Sequence, residues 1–214
     1  MPDFAEARDR MVEAIARRGV TDPRVLAAMR ATPRELFVDP EHRSDAYDDR
    51  PLRIGERQTI SQPFVVAWMT DAARMKPGDR VLEIGTGSGY AAAVISRVAT
   101  RVYTVERHAS LGQAARRRFA ELRLDNIETR IGDGTLGWPE SAPFDAILVA
   151  AGGPEFPDAL RRQLAPDGRL VMPVGSEERR QTLSRLTRRG ADEDRIDDLG
   201  PVAFVPLIGE QGWR

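Results

Sequence analysis

Val81-Leu-Glu-Ile-Gly-Thr-Gly-Ser-Gly-Tyr90 decides how the rest of this chain is read. An aliphatic and β-branched run gives way to three glycines spaced G-x-G-x-G, and a helix-like stretch follows. A strand that breaks into a glycine turn and re-enters a helix is where an α/β sheet presents its backbone to a nucleotide-like ligand. A Cβ at the glycines would block either the turn or the ligand's approach. The dinucleotide fingerprint G-x-G-x-x-G places its third glycine one residue later, and that position here is Tyr90. The spacing therefore departs from the dinucleotide pattern, although tight glycine turns also arise for structural reasons alone.

Composition sets limits around this turn. A chain of 214 residues can bury one full α/β core and is short for two independent domains, so a single domain over 1–214 is expected. Lys and Arg number 32 against 33 Asp and Glu, with a pI near 6.2, which leaves no broad basic footprint for nucleic acid. Cysteine is absent, which excludes disulfides, thiolate metal sites and a cysteine nucleophile. The first residues mix charged with apolar side chains and lack a signal-peptide core, and no apolar run is long enough to span a bilayer. The expectation is a cytoplasmic protein without a membrane segment.

Outward from the turn, β and α signals alternate as in a parallel sheet covered by helices on both faces. Strands are predicted at Arg80–Gly85, Arg101–Glu106, Ile127–Asp133, Phe144–Ala151 and Gly168–Val174. Helices are predicted at Gly89–Ala99, His108–Leu122 and Pro157–Leu164. Two further strands, Gln181–Arg188 and Val202–Leu207, flank the acidic stretch Asp192–Asp198, which reads as a solvated hairpin loop. Before the sheet, residues 3–18, 22–30 and Phe64–Arg74 carry helical spacing, while Thr32–Pro63 is rich in Pro, Asp, Arg and Gly. Long irregular segments in compact domains are often functional. Residues 1–75 thus form a helical flank with a loop of interest, and 76–214 the sheet core.

Two acids close predicted strands. Glu106 ends the second strand about twenty residues past the glycine turn, where such folds place a carboxylate that accepts hydrogen bonds from both ribose hydroxyls. Asp133 ends the third in Ile131-Gly-Asp-Gly134, where it could accept from an adenine amino group while Gly134 admits the ring. The competing reading is that each simply caps the helix that follows. With Gly85, Gly87 and Gly89 in order, the ligand reading is favoured.

The glycine turn with Glu83 ahead of it resembles the first motif of S-adenosylmethionine-dependent methyltransferases. One family is resembled more closely, the protein-L-isoaspartate(D-aspartate) O-methyltransferases. Gly132-Asp-Gly-Thr-Leu-Gly-Trp-Pro-Glu-Ser-Ala-Pro-Phe-Asp-Ala-Ile147 is similar to its signature segment. Gln58-Thr-Ile-Ser-Gln-Pro63, following Tyr47 and Pro51-Leu-Arg-Ile-Gly55, is similar to its active-site loop. Pro33-Arg-Glu-Leu-Phe-Val38 and the tail Phe204-Val-Pro-Leu-Ile-Gly-Glu-Gln-Gly-Trp213 also resemble family segments. Arg57 stands where the family often has glycine, and Ala150-Ala-Gly-Gly-Pro154 is a small-residue variant of the family's turn.

The resemblance implies a doubly wound, mainly parallel seven-stranded sheet whose last two strands depart from the usual methyltransferase order. It implies methyl transfer from S-adenosyl-L-methionine to the free carboxylate of L-isoaspartyl or D-aspartyl residues in damaged proteins, leaving S-adenosyl-L-homocysteine. The ester then cyclises to a succinimide, whose hydrolysis returns some normal aspartate. The implied cofactor contacts are Ile60, Ser61, Gln62, Glu83, Gly85, Thr86, Gly87, Ser88, Gly89, Glu106, Arg107, Asp133 and Gly134; substrate contacts are Thr59, Ser61, Val205, Pro206 and Leu207. Ser61 is the implied catalytic residue, orienting the reacting carboxylate. That carboxylate is already ionised at neutral pH, so no general base and no metal is called for. Thr59, Ser61 and Gln62 could equally act as N-caps for a helix starting near Pro63.

The partners expected are isoaspartyl peptides and proteins, with no nucleic acid or membrane, and the chain is expected to be a monomer. Two other readings are a related aspartate methyltransferase with a dedicated partner and a non-catalytic cofactor-binding protein. His108 is read as a surface helix start, Arg116-Arg-Arg118 as a solvated face, and Trp68 and Met69 as core. Trp138 and Trp213 could pack over a ligand or simply pack.

Overall fold

A computed structural model of the chain describes residues 4–177, 180–189 and 193–213. Three helices lead in. Helix α1 (Phe4–Arg17) buries Met11, Val12 and Ile15 on one face, as its spacing predicts. Helix α2 (Pro23–Ala31) opens on Asp22, whose side chain accepts from Arg24 N, with Pro23 in its first turn. A two-stranded ribbon, β1 (Leu52–Arg53) against β2 (Thr59–Ile60), interrupts the irregular stretch before α3 (Pro63–Ala72).

The main sheet follows as β3 (Arg80–Ile84), β4 (Arg101–Glu106), β5 (Ile127–Ile131), β6 (Phe144–Val149), β7 (Leu164–Glu177), β8 (Arg180–Thr187) and β9 (Arg195–Val202), in spatial order β5-β4-β3-β6-β7-β8-β9. Strands β3 to β7 pair in parallel, and β8 is antiparallel to both of its neighbours. The crossovers carry α4 (Tyr90–Ile95), α5 (Ala109–Glu121) and α6 (Asp158–Arg162). Alternate strand residues feed two cores. Val81, Val102, Ala146 and Leu148 face the layer containing α1 to α5, whereas Leu82, Ile84, Val105 and Ile147 face the layer containing α6. Burial on both sides explains why these strands read as continuous apolar runs.

Two sequence-based expectations change. The last strand is Arg195–Val202, not Val202–Leu207, and most of the described part of the acidic stretch belongs to it; Asp192 lies outside the described residues. The reason is charge pairing: Asp197 bridges Arg185 and Arg195, so an edge strand carries side chains that hydropathy assigns to a loop. The apolar run after it leaves the sheet. Val205 O accepts from Gly152 N at 2.8 Å and Leu207 N donates to Gly152 O at 2.8 Å, which ties this segment to the turn after β6.

The order in which strands are laid down reverses between the parallel neighbours β3 and β6, which opens a crevice at the carboxyl ends of the strands. No helix among the described residues is long and apolar enough to cross a membrane.

Candidate active site

The glycine turn sits at that crevice. Gly85, Gly87 and Gly89 have φ of +93°, +52° and +91°, the left-handed region that side chains disfavour. Their tasks differ. Gly85 N continues the ladder to Val105 O at 2.9 Å, while a Cβ on Gly89 would lie 2.8 Å from the Phe119 ring. Gly89 therefore lets α5 close against the turn and does not line the cleft.

Glu106, only 4% exposed, reaches back under the turn. Its Oε2 accepts from Gly87 N at 2.8 Å and its Oε1 from His108 N at 2.9 Å, which fixes the carboxylate at the cleft wall. Beneath the turn runs a second chain of polar groups. Thr86 Oγ1 lies 2.6 Å from Thr104 Oγ1, which donates to Glu83 Oε2 at 2.6 Å. Glu83 Oε1 has no partner, and burial pushes the carboxyl up to about 8 against the opposing Thr104 hydrogen bond.

One cleft takes in about 830 Å³, counting the solvent space at its open mouth. Its walls are the ribbon and its exit (Gln58 to Ser61), the glycine turn (Gly85 to Ser88), Glu106 to His108, Gly134, and the returning tail (Val205 to Ile208). An adjoining groove shares Thr59, Ser61, Ala150 and Val205 with the cleft and continues over Arg18, Phe64, Trp68 and residues 201–204. A small enclosed cavity beneath them is lined by Ser61, Glu83, Ala91 and Ala150. Ser61 borders all three spaces.

The Ser61 hydroxyl is not spent on capping. Gln62 occupies the N-cap of α3 without a side-chain bond, and the open Phe64 N–H instead donates to Asp49 Oδ1 at 3.0 Å. Among the described residues no side-chain hydrogen bond engages Ser61.

Of the residues singled out from sequence, Thr59, Ile60, Ser61, Gly85, Thr86, Gly87, Ser88, Glu106, Arg107, Gly134, Val205, Pro206 and Leu207 all line the cleft. Four lie outside it. Gly89 packs on Phe119; Glu83 is buried below the turn; and Gln62 faces the groove, its Nε2 donating to Asp49 Oδ2 at 2.8 Å. Asp133 turns away, with Oδ1 accepting from Thr135 N at 2.8 Å and Oδ2 from Glu210 N at 2.8 Å, so it caps a 3₁₀ turn and anchors the tail.

Other residues fall partly as expected. His108 is the N-cap of α5, the expected helix start, and it also lines the cleft because it follows Glu106 around the strand end. Arg118 is half-buried and donates to Ser88 O at 3.2 Å, bracing the glycine turn. Trp68 walls the groove and stacks on Phe64, whereas Met69 is core as expected. Trp138 packs edge-on to Tyr103, and Trp213 Nε1 donates to Gly152 O at 2.9 Å, so both serve packing. Arg57 and its neighbour Glu56 hold φ of +58° and +59° at the ribbon tip, a conformation that suits the glycine Arg57 replaces.

A seven-stranded sheet that reverses direction only at β8, with a glycine turn after β3 and a buried carboxylate closing β4, defines an S-adenosylmethionine-dependent methyltransferase. Comparison with known proteins narrows this. Residues 6–212 match the family Protein-L-isoaspartate(D-aspartate) O-methyltransferase (PCMT), and the chain belongs to that family. A Protein-L-isoaspartate O-methyltransferase of Methylorubrum extorquens is 58% identical over 209 residues, covering 97% of this chain and 91% of its own. A solved protein-L-isoaspartate O-methyltransferase superposes with a TM-score of 0.86 at 31% identity, over 96% of this chain and 67% of that one. A structure described as such an enzyme from Plasmodium falciparum, in complex with S-adenosyl-L-homocysteine, superposes with a TM-score of 0.80 at 26% identity. It covers 94% of this chain and 98% of that one.

Proposed function

We propose that Ser61 orients the reacting carboxylate at the junction of cleft and groove. The observation that carries this is an unengaged hydroxyl on the one polar side chain, among the described residues, that borders cleft, groove and the small cavity together. The enzyme is a protein-L-isoaspartate O-methyltransferase acting in protein repair, and S-adenosyl-L-methionine is its methyl donor.

The cleft fits that donor. Gly87 is called for by its φ of +52° and not by crowding, since a Cβ there would make only ordinary contact with Ile54 Cδ1 at 3.5 Å. Glu106 offers a fixed carboxylate for paired hydroxyls, and Gly134 supplies a wall without a side chain. Arg107, His108 and Ile60 complete the walls. Glu83 acts from below through Thr104 and Thr86, so its contribution is to hold the turn rather than touch the ligand. Asp133 contributes by fixing Gly134 and the tail.

When bound, the donor supplies an electrophilic methyl group on a sulfonium and leaves as S-adenosyl-L-homocysteine. The protein's task is then alignment and exclusion of water. Ser61 Oγ can donate to one carboxylate oxygen and leave the other to react. Thr59, Val205 and Ala150 share the junction with it, and the small Ala150 side chain leaves space for a peptide backbone. Pro206 and Leu207 line the main cleft, so their contact is with its contents. An ionised carboxylate needs no base, which agrees with the absence of any imidazole beside Ser61 among the cleft residues except His108 at the Glu106 end.

The same reading takes the enzyme to act as a monomer in the cytoplasm on isoaspartyl and D-aspartyl sites. No observation favours a dedicated partner or a non-catalytic role. The test is labelled methyl transfer to two peptides that differ only in isoaspartate or aspartate at one site. Labelling of the isoaspartyl peptide alone is expected; labelling of neither, or of the normal peptide, contradicts the assignment.

A further inference from the structure

We infer that Asp49 is the positioning residue that sets Ser61 for methyl transfer, acting through Gln62 and the first turn of α3; this rests on the role proposed above for Ser61. One carboxylate grips both sides of the Ser61–Pro63 junction. Asp49 Oδ2 accepts from Gln62 Nε2 at 2.8 Å, and Oδ1 accepts from Phe64 N at 3.0 Å. Asp49 also pairs with Arg18, whose guanidinium carbon lies 3.4 Å from the centroid of the Phe64 ring.

The arrangement has a chemical logic. The orphan N–H groups opening a helix are ordinarily met by the side chain at the N-cap, and here the N-cap Gln62 makes no such bond and leaves Phe64 N to another acceptor. Were Ser61 that acceptor, its hydroxyl would be committed to the helix. Asp49 supplies the cap from a distant segment, and its negative charge suits the helix N-terminus. Ser61 is thereby held in place while its hydroxyl stays available to a substrate.

Asp49 is itself held. It lies between Ala46 and Arg50, and the fully buried Arg34 donates from Nε to Ala46 O at 2.7 Å and from a terminal nitrogen to Arg50 O at 3.4 Å. Among the described residues Arg34 makes no ion pair; Nε and one terminal nitrogen donate to backbone carbonyls, and the other terminal nitrogen, Nη1, has no partner. Its burial is explained by the segment it fixes, which ends in the carboxylate that sets the serine loop.

The test compares wild type, Asp49→Ala and Asp49→Asn for kcat and KM on an isoaspartyl peptide and for S-adenosyl-L-homocysteine affinity by calorimetry. Alanine is expected to lower kcat roughly ten- to hundredfold, the scale of a misplaced reacting group, with affinity for S-adenosyl-L-homocysteine within about twofold of wild type. Asparagine is expected to restore most of kcat, because its amide oxygen can still accept from Phe64 N. Alanine with kcat within about twofold of wild type overturns the inference, as does loss of kcat and affinity in equal proportion. Asparagine no better than alanine overturns the route through the helix cap. If the alanine chain does not fold, Gln62→Ala cuts the other arm of the grip, and an unchanged kcat there overturns the inference. Wild type inactive on the isoaspartyl peptide would count against the functional assignment instead, so the two failures are distinguishable.

Discussion

Replacing Glu83 by glutamine should make the protein more stable at pH 8 than the wild type, and by an amount that grows with pH. Glu83 is 1% exposed, with one oxygen on Thr104 and the other unpartnered, and burial raises its carboxyl from an ordinary 4.5 to about 8. Below pH 4.5 the folded and unfolded chains are both protonated there. Between 4.5 and 8 the folded chain keeps a proton that the unfolded chain has lost, so stability falls as pH rises through this window. The interval corresponds to roughly 5 kcal/mol at about 1.4 kcal/mol per pH unit, as an upper bound. Glutamine keeps the shape and the acceptor for Thr104 but has no proton to lose. Urea unfolding followed by tryptophan fluorescence at several pH values from 5 to 8.5 should show the wild-type curve falling away from that of the variant by a few kcal/mol. Parallel curves across that range would refute the argument, because they would mean that Glu83 titrates alike in both states.

Two further substitutions probe the cleft. Ser61→Ala should reduce methyl transfer by tenfold or more, on the order of one lost orienting contact, while calorimetric S-adenosyl-L-homocysteine affinity stays near wild type; a parallel loss of both would remove the assigned role. Glu106→Ala should weaken S-adenosyl-L-homocysteine binding by roughly ten- to hundredfold, the scale of charge-assisted hydrogen bonds of about 1.5–3 kcal/mol. Unchanged affinity there would show that the carboxylate serves only the backbone N–H groups of Gly87 and His108.

The sheet was legible where burial on both faces and glycine punctuation agree. Arg101–Glu106 is a strand with the predicted ends, and the turn from Ile84 to Tyr90 folds as the glycine spacing suggests. It failed at β9, where ion pairs override hydropathy and the apolar Val205 and Leu207 line a cleft instead of joining the sheet. Helix α4 ends sooner than its apolar run suggests, at Ile95 rather than Ala99, because tight turns take over from Ser96.

In the site, residues consecutive in sequence were found, since a motif read on one segment places its neighbours too. Residues that act through a second segment were not. Asp49 and Arg34 meet the Ser61 loop only after folding, and nothing in their own spacing announces it. The hydrogen bond that Asp133 accepts from Glu210 N is likewise hidden from the sequence, because the tail that supplies it is remote along the chain. His108 was within reach of sequence reasoning: two residues past a strand-ending acid, it follows the chain around the same crevice.

A repair enzyme must handle other proteins when they are least folded, and an open strand edge is an invitation to such chains. Strand β9 is one of the sheet's two outer margins, beside β8, and it is poorly suited to accept a guest. Arg195, Asp197 and Asp198 crowd it with charge, Gly200 adopts a φ of +131°, and Pro201 withholds an N–H. Only Ile196, 60% exposed, offers a large apolar side chain there. Such a margin disfavours strand pairing with an unfolded chain, and leaves the groove proposed beside Ser61 as the place for a client protein to engage.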